Sequence, residues 1–141
     1  MSAKAVQITA DNLVEELAND LPEYRKRIED DLRSWTQPDP PGLHIICPDI
    51  LNPAIETALA SPEKASALER LFAFVERMAQ SQDPDVVNVV EVSICEGFLD
   101  RPRVRDHMGP ATLAASMRIE AHIKDLLQGT TLMSRIARLF R

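Results

Sequence analysis

Apolar residues recur along this chain every three or four positions, and proline marks most places where the rhythm restarts. In LVEELAND, Leu13, Val14 and Leu17 share one face, and Asp11 stands where a cap belongs. Pro22 opens EYRKRIEDDLRSW, in which Tyr24, Ile28, Leu32 and Trp35 keep the helical spacing. Proline suits a first helical turn because the N–H it lacks would have had no partner there. QPDPPG, Gln37 to Gly42, is a run of helix breakers and predicts a loop. Leu43 to Cys47 then reads as a short extended piece before Pro48. Asp49 to Ala60 reads as helix, with Asn52 as cap and Pro53 in the first position. Ser61-Pro62 starts the clearest amphipathic helix, where Leu68, Leu71, Phe72, Val75 and Met78 line one side. Asp83-Pro84 starts the next, Arg101 to Gly109 is a polar connection, and Pro110 starts a long helix that Gly129 is placed to stop. Thr130 to Arg141 closes the chain as a short basic helix. It sets Arg135, Arg138 and Arg141 against Leu132, Met133, Ile136, Leu139 and Phe140. The preferred reading is a terminal helix that closes the core; docking on a membrane surface or a partner is the alternative.

One segment resists its own propensities. DPDVVNVVEVSICEGFLD, Asp83 to Asp100, carries six β-branched residues within nine positions, as a strand would. Yet Val89-Val90 and Ile94-Cys95 break strict alternation, and Asp-Pro is a helix opening. On a helical wheel Val87, Val90, Ile94 and Phe98 share a narrow sector, while Val89, Val92, Cys95 and Leu99 fall elsewhere. The segment is therefore expected to be a helix that is apolar nearly all round, central, with neighbours on two sides.

Composition agrees. Apolar residues make up 45% of 141, aromatics only 4%, and there are 4 glycines, so the core must come from aliphatic helix formers and hairpin turns are scarce. The expected fold is all-α: one domain over 1–141 with about seven helices, as a bundle or a short HEAT-like solenoid. Without a long apolar run, a membrane span is not expected. The amino terminus has no apolar stretch of a secretory signal, and Cys47 and Cys95 have no framework spacing, so the cytoplasm is the expected compartment.

Charge narrows the partners. Residues 1–100 carry 8 basic and 19 acidic groups, and residues 101–141 carry 8 and 3. An acidic body disfavours nucleic acid and suits a basic protein partner. Glu15, Glu16, Glu29, Asp30 and Asp31 are the candidate contacts. Glu91 and Glu96 on the central helix raise a second question, because a carboxylate there needs a partner or a route to water. With Asn88 they form a polar site, or they sit on a solvated strip paired with arginines, for which Arg101, Arg103 and Arg105 are at hand; the second account is preferred. His44 and Cys47 have the spacing of two metal ligands, but no second pair completes a set, so neither metal nor cofactor is expected. No glycine-rich phosphate loop and no nucleophile–base pair stand out.

Three segments, LVEELANDLPEYRKRIEDDL, SQDPDVVNVVEVSICEGFL and MGPATLAASMRI, together resemble a largely uncharacterised family of small bacterial α-helical proteins. Its pattern is LVEEL…P, a helix of the form V-x-N-V/L-x-x-V-S-x-x-E, and Gly-Pro before the next helix; residues 36–60 depart from it. The family is similar to the helical immunity proteins found beside polymorphic and contact-dependent toxins. That resemblance implies that Asn88, Ser93 and Glu96 occupy recurring polar positions without a catalytic role. The expected function is non-enzymatic: a protein-binding module that neutralises a toxin domain. The rivals are a helical-repeat scaffold or regulatory adaptor, and an enzyme with its site near Glu91 and Glu96. An isologous homodimer is open to any of them.

Overall fold

The computed structural model describes residues 6–139, and for 130–134 the backbone alone. The fold is all-α, with no strand among the described residues. Helix α1 is Leu13–Asp20. A 3-10 turn, Pro22–Tyr24, leads into α2, Arg25–Ser34. Helix α3 is Leu43–Leu59, and a second 3-10 turn, Pro62–Lys64, leads into α4, Ala65–Ala79. Helix α5 begins as α at Pro84–Asn88, widens to π over Val89–Cys95 and tightens to 3-10 over Glu96–Phe98. A 3-10 stretch, Pro102–His107, joins it to α6, Pro110–Leu139. No helix of the described residues is long and apolar enough to cross a membrane.

Helix α5 is the centre, packed on α3, α4 and α6. Val86, Val89, Val90, Ile94, Cys95 and Phe98 are all buried, which overrides their strand propensity. Val92 is the exception, at 41% exposure. The adjacent buried pairs Val89-Val90 and Ile94-Cys95 fit a helix gripped from two sides. Asn52 on α3 reaches the Ser93 carbonyl at 3.0 Å, and Cys95 Sγ lies 3.9 Å from the Thr112 carbonyl on α6.

Five expectations fail at particular residues. Asp11 does not cap α1; Asn12 holds that position, and its side chain turns back to accept from Thr9 N at 2.8 Å. Leu43 to Cys47 is not extended, because α3 runs through both Pro48 and Pro53. An interior proline costs about 3 kcal/mol. Burial of Ile46, Cys47, Ile50, Leu51 and Ile55 along one helix offsets it, at about 1.5–3 kcal/mol for each large side chain. Asn52 therefore caps nothing and is free to bond α5. Gly129 does not stop α6 either: no glycine here has a positive φ, the backbone state by which glycine ends helices, so the two expected C-terminal helices are one. Nor does the tail close the core. Lys124 to Gly129 and Arg135 to Leu139 are exposed, while Phe140, Arg141 and the side chains of Leu132 and Met133 lie outside the described residues.

Two carboxylates hold the ends of the bundle together. Asp83 caps α5 through Asp85 N at 3.0 Å and also accepts from Ala10 N at 2.8 Å. The amino-terminal segment is pinned there further by Ser81 Oγ donating to the Ile8 carbonyl and by Arg77 donating to the Val6 carbonyl. Glu76, on α4, caps α6. Its Oε1 accepts from Thr112 N and Thr112 Oγ1, both at 2.8 Å, and its Oε2 from Ala111 N at 3.0 Å. Burial would raise the Glu76 pKa, but these bonds and one from Gln80 outweigh it and hold the carboxyl below its ordinary value. Gly109 makes room for it, since a Cβ there would lie 2.5 Å from Glu76 Cδ.

Candidate functional site

The polar residues of α5 divide. Asn88 and Glu91 line one open groove with Ser81, Gln82, Asp85 and Val87. Glu96 is exposed away from that groove, so the three expected together are not one site. Glu91 takes its ion pair from Arg118 on α6 and not from the Arg101–Arg105 run. Arg101 pairs with Glu56, and Arg105 with Glu120 and Ser116. Arg103 is exposed.

Sequence spacing did not join Asn88 to His44. His44 Nδ1 lies 2.6 Å from Ser93 Oγ, and its Nε2 lies 3.4 Å from Asn88 Nδ2. Asn52 holds the Ser93 carbonyl from below, leaving its own Oδ1 buried and unpartnered. Ser93, His44 and Asn88 thus stand in the order of nucleophile, base and orienting group. Ser93 is mid-helix, however, where neighbouring N–H groups serve the helix and cannot stabilise an oxyanion. Neither His44 nor Ser93 lines the groove beside them. The arrangement ties the first turn of α3 to the π-helical turn of α5. Its signal was hidden because His44 had been placed in an extended segment.

The acidic candidates also divide. Glu16 is not a free contact: Arg77 of α4 reaches it at 3.4 Å and also pairs with Asp20. Arg70 grips both oxygens of Glu23, at 2.8 and 3.0 Å, and lowers its pKa. Two arginines of α4 thus hold Glu16, Asp20 and Glu23. Glu15 and Glu29 remain exposed without an ion pair among the described residues. Asp30 pairs locally with Arg33 at 3.0 Å.

Asp31 is different. It faces Asp49 of α3 across a groove of about 200 Å³, walled by Trp35, Pro41, Ile45 and Ile46. Arg27 bridges the two acids, 3.3 Å from Asp31 Oδ1 and 3.6 Å from Asp49 Oδ2. Asp31 Oδ2 is shut off from solvent and has no partner. A hydrogen bond with Asp31 is the main cause that raises the Asp49 pKa; burial and the Asp31 charge add to it, and Arg27 opposes. Trp35 is fixed by its Nε1–H, which donates to the Asp39 carbonyl at 2.6 Å. Ile45 is 52% exposed at the rim. Asp49 and Trp35 were not singled out in the sequence; proline loop and helix start only meet when α3 begins at Leu43. Among the described residues no group of three or more His, Cys, Asp or Glu converges as a metal set.

The molecule is therefore an all-α domain with a buried partly π-helical centre and an acid-floored surface groove. Residues 14–124 match the model of DUF7674, a domain of unknown function, and the chain belongs to that family. Neither the curated proteins nor the solved structures contain a match to the chain.

Proposed function

We propose that this chain is a non-enzymatic protein-binding module, a bacterial immunity protein that neutralises a cognate toxin domain by covering its active site or binding beside it. The observation that carries the reading is the α2–α3 surface. There Asp31 and Asp49 lie in a groove walled by apolar Trp35, Pro41, Ile45 and Ile46. A concave apolar wall with a few charged groups inside it suits a side chain inserted from a protein partner, and opposed charge speeds encounter with a basic one. Helix α1 is the poorer surface, since Arg77 of α4 already engages its Glu16 and Asp20. The absence of oxyanion donors at Ser93 supports binding over turnover.

The test is capture of partners by the tagged protein in its own organism, followed by co-expression. A single partner that kills cells alone and is harmless beside this chain establishes immunity, and affinity that falls with salt places the acidic face in the interface. A partner that is not toxic leaves a binding module without immunity. Capture of housekeeping assemblies alone rejects the immunity reading in favour of an adaptor.

A further inference from the structure

We propose that the α2–α3 groove receives a single lysine or arginine side chain of a protein partner. The floor is short of one positive charge. Two carboxylates, Asp31 and Asp49, meet one guanidinium, Arg27, whose contacts reach Asp31 Oδ1 and Asp49 Oδ2. Asp31 Oδ2 has no hydrogen-bond donor among the described residues. A buried carboxylate oxygen in that state is unfavourable. Hydrogen bonding with Asp31, burial and the Asp31 charge together raise the Asp49 pKa above its ordinary value, the mark of two acids served by too little positive charge. An ammonium or guanidinium in the groove supplies that charge, with hydrogen bonds to the carboxylate oxygens that face the opening.

The walls fit the rest of such a side chain. Trp35, Pro41, Ile45 and Ile46 offer apolar surface for the methylene stem, and an indole attracts a cation placed over its face. The Trp35 ring is held by its bond to Asp39, so little freedom is lost on binding. The size of the groove, about 200 Å³, is below the roughly 300–1,000 Å³ of pockets for small organic ligands. It has room for one long side chain. Residues 1–100 carry 8 basic and 19 acidic groups, a balance that favours a basic stretch around the inserted residue.

The inference takes its biological partner from the protein-binding reading above, but its chemistry can be tested without one. Trp35 is the only tryptophan, so fluorescence and the indole N–H resonance report on the groove alone. The full chain is titrated with N-acetyl-arginine amide and N-acetyl-lysine amide. The uncharged controls are N-acetyl-citrulline amide, which keeps the arginine shape, and N-acetyl-norleucine amide. A saturable Trp35 response to the cationic probes, with a dissociation constant on the order of 1 mM for ligands of this size, is expected. The neutral probes should bind at least about tenfold more weakly, the loss of one charge-assisted contact. Asp49→Asn should reduce the preference for cations, and Ile45→Ala should weaken both classes. Equal response to citrulline and arginine, or no saturable response to either cation, overturns the proposal, and that comparison needs no variant to fold. If the probes bind but no toxic partner exists, the groove stands and the immunity reading fails. If a toxic partner is neutralised equally well by wild type and by Asp49→Asn, and no probe binds, the groove fails and the immunity reading stands.

Discussion

Replacing Glu76 by alanine should remove more stability than any other surface-accessible carboxylate in the chain. Thr112 is fully buried, and both its N–H and its hydroxyl donate to Glu76 Oε1. Ala111 N loses its partner as well. A buried donor left unsatisfied costs about 1–3 kcal/mol, and loss of a helix cap alone about 0.5–2 kcal/mol. Glu76 itself is only half-buried, so water can replace part of what is lost. About 3 kcal/mol is the expected net, or roughly 10 °C in Tm for a chain of this size. Gly109→Ala should cost a similar amount, because its Cβ would stand 2.5 Å from Glu76 Cδ and push the cap away. The decisive assay is a double-mutant cycle by urea denaturation. With Glu76 already alanine, the space opens and Gly109→Ala should be nearly neutral. A cost below about 1 kcal/mol for Glu76→Ala, or an equal cost of Gly109→Ala in both backgrounds, would refute the cap. The pH dependence follows from the depressed folded pKa. The contribution is complete above the ordinary value of 4.5 and is lost as pH falls through the lower folded value. The advantage of wild type over Glu76→Gln should therefore shrink in acid.

Further outcomes are expected elsewhere. Asp49 keeps its proton more readily folded than unfolded, so its contribution is present below 3.8 and is lost as pH rises through the folded pKa. Asp49→Asn should thus denature at higher urea than wild type at neutral pH and at equal urea in strong acid; a lower midpoint at neutral pH would contradict the crowding of the two acids. Cys47 and Cys95 are fully buried, and burial pushes both thiols up to about 12, so labelling by a disulfide reagent near pH 8 should proceed only as fast as the chain unfolds. Labelling at the rate of a free thiol would show an opening the structure lacks. Gly129→Ala meets open space and an exposed helix, so propensity alone acts: local helix stability should rise by about 1 kcal/mol. Slower amide exchange confined to α6 past Lys124 checks it, and a change in the global urea midpoint would count against it.

What the sequence disclosed and what it hid follow one line. Starts marked by a local signal were legible: Pro22, Ser61-Pro62, Asp83-Pro84 and Pro110 all open helical turns. The central place of α5 could be read because no strand pattern accommodates two adjacent apolar pairs. Pro48 and Gly129 misled because each weighs only about 1–3 kcal/mol against helix, a sum that burial or helix continuity can override. The candidate sites were least legible. Glu16 reads as free until Arg77, 61 residues later, folds against it. Glu76 reads as one more solvated charge, yet a clue was present: Gly109-Pro110 offers α6 no side-chain cap, so the cap had to come from another helix. Asp31 and Asp49 are 18 positions apart and meet only because the proline loop is short enough to fold α2 beside α3.

The pinned amino-terminal segment has a consequence in time. Ala10 bonds Asp83 and Ile8 bonds Ser81, each across 73 residues. A ribosome adding about 5–20 residues per second needs roughly 4–15 s to travel that distance. Through that interval the first segment of the chain has been made but the turn that receives it has not. Ile8, which ends almost wholly buried, must wait exposed, available to chaperones and to other nascent chains. A segment made 73 residues before its receiving turn is thus among the last to find its place, and the α4–α5 turn sets when the waiting ends.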